Sequence, residues 1–441
     1  MIRIALQSAA HHRRSFLATG LVILVGTTLV TAMAGILATG LDAGTVGADR
    51  PFLTQFPLIM GTWILAIVIF AVVSTVAVAL DNRTEEIIGL RLIGATPEQV
   101  RHMTAVETAA ISVVAAVPGA LLGYLLGGVI VSRVVALGLI SPASGFAPGV
   151  VLPAAAGLFV VVSGVLGGYL GARAAAHRSP VGAIDIGRAR RQSPGIRRGA
   201  AVMLIAAGLT ASATSLTMDA ASVYATAATG PGVVLVSVGT ALLAGEILAL
   251  TNRVLGVVPD RGSAVGHLAR INLRAVPQRT RPLVTFLVLF IGVSAGTLSM
   301  QAIENEANAD SGGIGAVMAS INYLVVVLIA AFMAIALANN LVSAINARQQ
   351  ELTDMRLVGA TTTQVRGTVL TEGAVAVLAS AVCATVVAAI AVVPFAIAKL
   401  GTPLAVLDPV PYVSMIAVAA VLTLGIIAVA TQAPGRRAES G

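Results

Sequence analysis

"RLIGAT", residues 91–96, returns as "RLVGAT" at residues 356–361 in a chain of 441 residues that is 57% apolar and 10% charged. Working outward from this hexamer, an offset of 265 residues lays Arg83 on Arg348, Glu86 on Glu351, Gln99 on Gln364, Arg101 on Arg366 and Glu107 on Glu372. A shift of one more residue lays "HHRRSFL" over "PQRTRPL", with Arg13 on Arg279. The chain therefore contains an internal repeat, the first thing to settle before any element is assigned.

The repeat lies in a membrane protein. Soluble domains carry roughly a quarter charged residues, whereas here the apolar residues gather in runs of about 20, enough for a helix to cross about 30 Å of hydrocarbon. Ten runs are expected to span, at 16–40, 58–80, 105–130, 150–172, 199–219, 231–250, 282–303, 317–340, 369–394 and 411–432. The fold class is an all-α polytopic membrane protein. Spans one to four form one half (residues 1–180), and spans seven to ten the other (263–441). A connector and a central helix pair lie between them (181–262). Six spans separate the starts of the halves, so both enter the membrane in the same direction and the repeat is parallel rather than inverted.

Charge sets the orientation. Of 27 basic residues, 24 fall at the N-terminus, in the connections near 81–104, 173–198, 251–281 and 341–368, or in the C-terminal tail. Arg50, Arg133 and Lys399 alone are left for the other side. By the positive-inside rule both termini and both hexamers are expected to be cytoplasmic. A net charge of +8 thus reads as topology, and with aromatics at 4% it argues against nucleic-acid binding.

Each hexamer spells a helix, a break and a second helix. Gly94 is suited to the left-handed conformation that closes a helix. Thr96 stands at an N-cap, Pro97 at the first helical position, and Gln99 three residues on completes a capping box. Gly359, Thr361 and Gln364 repeat the arrangement. The helix entering the first break mixes Ile87, Ile88, Leu90 and Ile93 with Glu86 and Arg91, an amphipathic piece suited to the membrane interface or to another protein. Two matching elbows call for a partner that is itself two-fold symmetric.

The pattern of a glutamate, then R-L-x-G-A-T-x-x-Q-V-R, then a glutamate opening the next apolar run, resembles the FtsX-like permease domain of ABC transporters, the MacB-type or type VII exporter fold. "RSPVGAI" at 178–184 is similar to a segment that ends such domains. Four, two and four spans resemble the ten-span permeases of the bacitracin-efflux type, without their large extracellular domain: the connection after span seven is only about "ENEANADSGGIG". The resemblance implies that Glu86, Arg91, Gly94, Ala95, Thr96 and Gln99, with Glu351, Arg356, Gly359, Ala360, Thr361 and Gln364, form coupling elbows that dock on ATP-binding subunits, two copies being expected. It also implies a bacterial inner-membrane location, contact with membrane lipids, and a cargo or surface partner outside.

No nucleotide chemistry is expected in the chain itself. Its only lysine, Lys399, follows no glycine-rich phosphate loop, so ATP and Mg are expected on a partner subunit. His11, His12, His102, His177 and His267 form no metal-ligand pattern, and Cys383 has no second cysteine to pair with. Gly119, Gly123 and Gly127 recur every four residues in the third span, with Ala384 and Ala388 at the first two equivalent positions, a spacing that allows close helix packing. Glu246 is drawn inside the sixth span, where a carboxylate is costly. Its open readings are an ion pair or snorkelling near the cytoplasmic end, or substrate or proton handling.

Overall fold

The computed structural model describes residues 13–81, 89, 92–176, 194–219, 223–257, 264–309, 313–346 and 348–431. Among them it contains helices and turns and no strand. Thirteen α-helices follow in order: α1 Arg13–Leu41, α2 Arg50–Asp81, α3 Pro97–Ala136, α4 Val151–Ala176, α5 Pro194–Ala213, α6 Val223–Leu242, α7 Ala244–Val257, α8 Ala264–Ala275, α9 Pro277–Ala307, α10 Gly313–Asn346, α11 Gln349–Leu357, α12 Thr362–Leu400 and α13 Pro409–Ala430. Ten stretches, in α1–α6, α9, α10, α12 and the segment Leu404–Ala430 that ends in α13, are long and apolar enough to cross a membrane. The chain is a multi-pass membrane protein.

The expected spans match these helices closely, with one instructive difference. The sixth was drawn as 231–250, but the apolar stretch runs Ala225–Leu242. A turn at Leu243 ends α6, and Glu246 falls in the first turn of α7. Composition hid this boundary because "LLAGEILAL" stays apolar across it, and the break needs no proline or charge cluster.

The chain forms two compact units, residues 1–192 with 308–325 and residues 193–307 with 326–441. In the first unit α1 packs against α2, α3 and α4. The glycine stripe of α3 faces α1: a Cβ at Gly119 would lie 2.7 Å from the Leu24 carbonyl oxygen, and one at Gly123 2.7 Å from the Thr31 Cβ. Only a bare backbone fits there. At the end remote from the elbow, buried Asp49 accepts hydrogen bonds from the Ser144 hydroxyl at 2.6 Å and the Ser141 amide at 2.9 Å. This joins the α1–α2 connection to the α3–α4 connection, while Phe146 stacks over Gly127.

In the second unit α9 takes the place of α1 and packs on α12 and α13. Ala384 and Ala388 of α12 meet Gly292 and Gly296 of α9 at ordinary contact distances of 3.9 and 3.6 Å, while the tight side of these glycines faces α6, where an added Cβ would lie 2.7 Å from the Ser237 hydroxyl and 2.6 Å from Val233.

The central pair, set apart in the sequence reading as 181–262, packs within this second unit. Gly208 of α5 and Gly232 of α6 cross backbone to backbone, and α6 leans on α9 and α12. The Ser212 hydroxyl donates to the Ala391 carbonyl of α12. At the end remote from the elbow, Lys399 is almost wholly buried against Glu304 at 3.0 Å. The cost of placing an ammonium there is offset by that partner and by the Phe395 ring, 5.7 Å away.

Candidate functional site: two apolar-tipped elbows

Both hexamers turn on a positive-φ glycine followed by a complete capping box. In the second, α11 closes with Gly359 at φ +106°, the Gly359 amide donating to the Arg356 carbonyl and the Ala360 amide to the Met355 carbonyl, each at 3.0 Å. These two bonds are those of a Schellman closure, and Met355 and Ala360 both pack against the core cluster below. Thr361 then caps α12. Its hydroxyl accepts from the Gln364 amide at 3.2 Å, and the Gln364 side chain accepts from the Thr361 amide at 2.8 Å. In the first elbow Gly94 has φ +102°, and Thr96 and Gln99 form the same reciprocal pair at 3.2 and 2.9 Å, with Pro97 at the first helical position. Glu86 and Arg91 lie outside the described residues.

Of what the turns present outward, the sequence pointed to Ile93 as part of an amphipathic piece, but not to Leu92, Leu357 or Val358. The residues just before each positive-φ glycine are apolar and almost fully solvent-facing: Leu92 at 70% and Ile93 at 83%, Leu357 at 80% and Val358 at 90%. They are in register across the repeat. Large apolar side chains this exposed, held on a closed turn at two equivalent positions, have the character of contact surfaces rather than of stray surface residues. The signal was available, because a left-handed glycine cap leaves the residues before it at the tip, but only the fold shows that no neighbour covers them.

Several polar residues of the elbow turn inward instead. Arg356 is half-buried, and its guanidinium reaches the Thr431 carbonyl at the end of α13 at 3.5 Å. Glu351 forms an ion pair with Arg348, 3.5 Å from its Nε. Arg348, at the junction of α10 and α11, also donates to buried Glu372 of α12 at 2.6 Å, and Glu372 accepts from the Asn272 side chain of α8 at 2.8 Å. Burial opposes the guanidinium's charge, but the bonds and charges of Glu372 and then Glu351 outweigh it and hold Arg348 above the usual arginine value. Gly94, Ala95, Thr96, Gln99, Gly359, Ala360, Thr361 and Gln364 thus form the turns themselves, while Glu351 and Arg356 fasten the second turn to its unit.

Glu246 sits at the same end of the second unit. Arg197 donates to both its carboxylate oxygens at 2.8 Å and Arg198 to one at 2.9 Å, so its partners are the arginines that open α5. Desolvation raises its pKa, but the hydrogen bonds of Arg198 and Arg197 prevail and leave the carboxyl below its ordinary value. This geometry is a clamp between α5 and α7. Among the described residues no group of three or more His, Cys, Asp or Glu side chains is arranged to hold a metal.

The family model for the FtsX-like permease C-terminal domain matches residues 58–180 and again 323–436, one match in each half. The chain belongs to the FtsX-like permease family. It is therefore a permease subunit of the ABC transporter class, a family generally associated with separate ATP-binding subunits. The two matches begin and end around the elbows described above, each containing one hexamer. Comparison with curated proteins gave no match.

Proposed function

We propose that this permease couples ATP hydrolysis on two partner subunits to the export or extraction of a membrane-associated lipid or peptide, and that its elbows are the docking points. The observation that carries the reading is the matched pair of apolar tips, Leu92–Ile93 and Leu357–Val358, each mounted on a capped turn. The arginine asymmetry of the sequence supports a cytoplasmic position for both elbows and both termini in a bacterial inner membrane. Nucleotide and Mg belong to the partner subunits, whose closure would press on the tips; α2–α3 and α10–α12 then act as levers reaching through the membrane. Such coupling requires only that the partner prefer one of two arrangements.

The same pair of capped elbows supports a second reading, since levers driven from them can transmit force to a surface partner, such as a cell-wall hydrolase or a sensor kinase, without moving cargo. Small cavities lie behind the elbows, about 10 Å³ beside Glu107 and about 30 Å³ beside Glu372, each room for about one water.

Affinity purification from native membranes tests the docking assignment. The wild-type chain is expected to retain an ATP-binding subunit, and the pair Leu92→Asp and Leu357→Asp to lose it. Retention of the ATPase by that double variant would remove the assignment. Transport by the reconstituted complex in lipid vesicles, present or absent, separates export from force transmission.

A further inference from the structure

The two cavities occupy equivalent places in the repeat. Val76, Ala79, Leu80, Thr104, Glu107 and Thr108 line the first, and their counterparts Leu341, Ala344, Ile345, Val369, Glu372 and Gly373 the second. Each half therefore buries a carboxylate about three turns into its third span, directly behind its elbow. Glu107 is 1% exposed and Glu372 4%. A docking surface has no use for a buried acid, and a helix end has no need of one, since both capping boxes are already complete.

Its surroundings indicate a different task. The second elbow hangs on α11, a helix of nine residues, shorter than helices that hold themselves together in water. Leu352 is its one fully buried side chain, seated among Leu341, Ile345, Val365, Val369 and Ile427. A single apolar anchor lets a short helix pivot. Arg356 holds the C-terminal end of α11 through the Thr431 carbonyl, Arg348 supplies the fixed point at its N-terminus, and the partner of Arg348, Glu372, is in turn held by Asn272 of α8. One carboxylate therefore ties α8, the α10–α11 junction and α12 together. An apolar cluster of the same volume would hold these elements as firmly or more so, but it would let them slide. A fork of two directional bonds at 2.6 and 3.4 Å from Arg348 to Glu372 does not.

We infer that the Arg348–Glu372 pair is the positioning link that makes the second elbow and α12 move as one body, converting pressure on Leu357–Val358 into displacement of the third span. The inference rests on the docking reading above. In the first half Glu107 is in register with Glu372, and the counterpart of Arg348, Arg83, lies outside the described residues. Neither Arg348 nor Glu372 touches nucleotide or partner; both act through the elbow.

The test uses the complex of this chain with the ATP-binding subunit that co-purifies with it, and compares Glu372→Gln, Arg348→Gln and the exchange of Arg348→Glu with Glu372→Arg. Either single variant is expected to bind the subunit with affinity changed by less than about threefold, while stimulation of ATP turnover falls about tenfold, an interaction energy within the range for directly coupled residues. The exchange is expected to recover most of that loss. Spin labels on Gln350→Cys and Val382→Cys in a Cys383→Ser background supply a readout that mere stability does not move: their distance distribution broadens in Glu372→Gln and narrows again in the exchange. Full stimulation and an unbroadened distribution in both single variants overturn the link and leave docking intact. Loss of subunit binding in Glu372→Gln overturns it as well, because the pair would then be part of the docking surface. Should the glutamine variants not be recovered folded, Arg348→Lys, which keeps the charge without the fork, is expected to show the same broadening and partial loss of stimulation; wild-type behaviour there also refutes the link. If Leu92→Asp with Leu357→Asp retains the ATPase, the docking reading itself fails, and that result is distinct from all of these.

Discussion

Gly94 and Gly359 are the residues on which the elbow geometry depends most directly, because a φ above +100° places a Cβ against its own carbonyl. For a residue with a side chain the left-handed region costs about 1–2 kcal/mol, and more for a β-branched one. Space is no obstacle, since nothing lies within 4 Å of either Cβ position; the penalty is conformational. Gly359→Ala is accordingly expected to lower stability by about 1–2 kcal/mol in chemical unfolding and to weaken retention of the ATP-binding subunit. Glu246 gives a prediction in pH. Its folded pKa lies below the unfolded value, so its contribution is complete above the ordinary glutamate range and is lost as pH falls through the lowered folded value. Glu246→Gln should therefore melt at a lower temperature than wild type at neutral pH, and the gap should close on acidification to below the carboxylate range. A gap that is constant with pH would mean that the Arg197–Arg198 clamp contributes through shape alone. The roles of Gly94, Thr96 and Gln99 in the turn were legible from residue type and spacing, since each answers a local backbone demand. The inward orientation of Arg356 was not, because its partner carbonyl is 75 residues away in sequence.

At the scale of elements, helix contact is set by what the backbones allow. Gly123→Ala places a methyl 2.7 Å from the Thr31 Cβ and 2.8 Å from the Thr28 carbonyl oxygen, so α1 and α3 must part, at a cost of about 1–3 kcal/mol typical of overpacking. Gly425→Ala in α13 meets nothing within 4 Å and is expected to be neutral or stabilising by up to about 1 kcal/mol through helix propensity. Thermal unfolding of the two variants in the same detergent checks the contrast. At the elbow, Thr361→Ala removes the acceptor for the Gln364 amide and should cost about 0.5–2 kcal/mol, visible as faster hydrogen exchange confined to the first turn of α12. The glycine stripe of α3 was legible as a packing face. Its counterpart was only half legible, because Ala384 and Ala388 stand where α3 has glycines, and the glycines of α9 that make a tight contact, Gly292 and Gly296, serve the approach of α6, a helix outside the repeat.

For the whole molecule, the orientation proposed from arginine counts makes a simple demand on labelling. In a Cys383→Ser background, Thr353→Cys beside the second elbow and Pro403→Cys at the opposite end of α12 are both exposed positions. An impermeant thiol reagent applied to intact spheroplasts should modify Pro403→Cys and leave Thr353→Cys untouched, with the pattern reversed in inverted vesicles. The reverse result in spheroplasts would place the elbows outside the cell, and the docking proposal would not survive it. Lys399 offers an independent probe, as the sole amine outside the N-terminus. Buried against Glu304, it should react slowly with acylating reagents in the resting protein and faster in Glu304→Gln.

By itself the sequence determined the class of the molecule, its ten spans, its repeat and the chemistry of its turns, because membrane thickness, helix rise and backbone capping act over a few residues and leave periodic or local marks. The tertiary structure alone decided which face each residue presents. It exposed Leu357 and Val358, buried Glu107 and Glu372 behind the elbows, joined Arg348 to Glu372 and ended the sixth span before Glu246. Those outcomes depend on contacts between segments far apart in the chain, and desolvation, which makes a charge costly or an apolar tip useful, exists only once such segments meet.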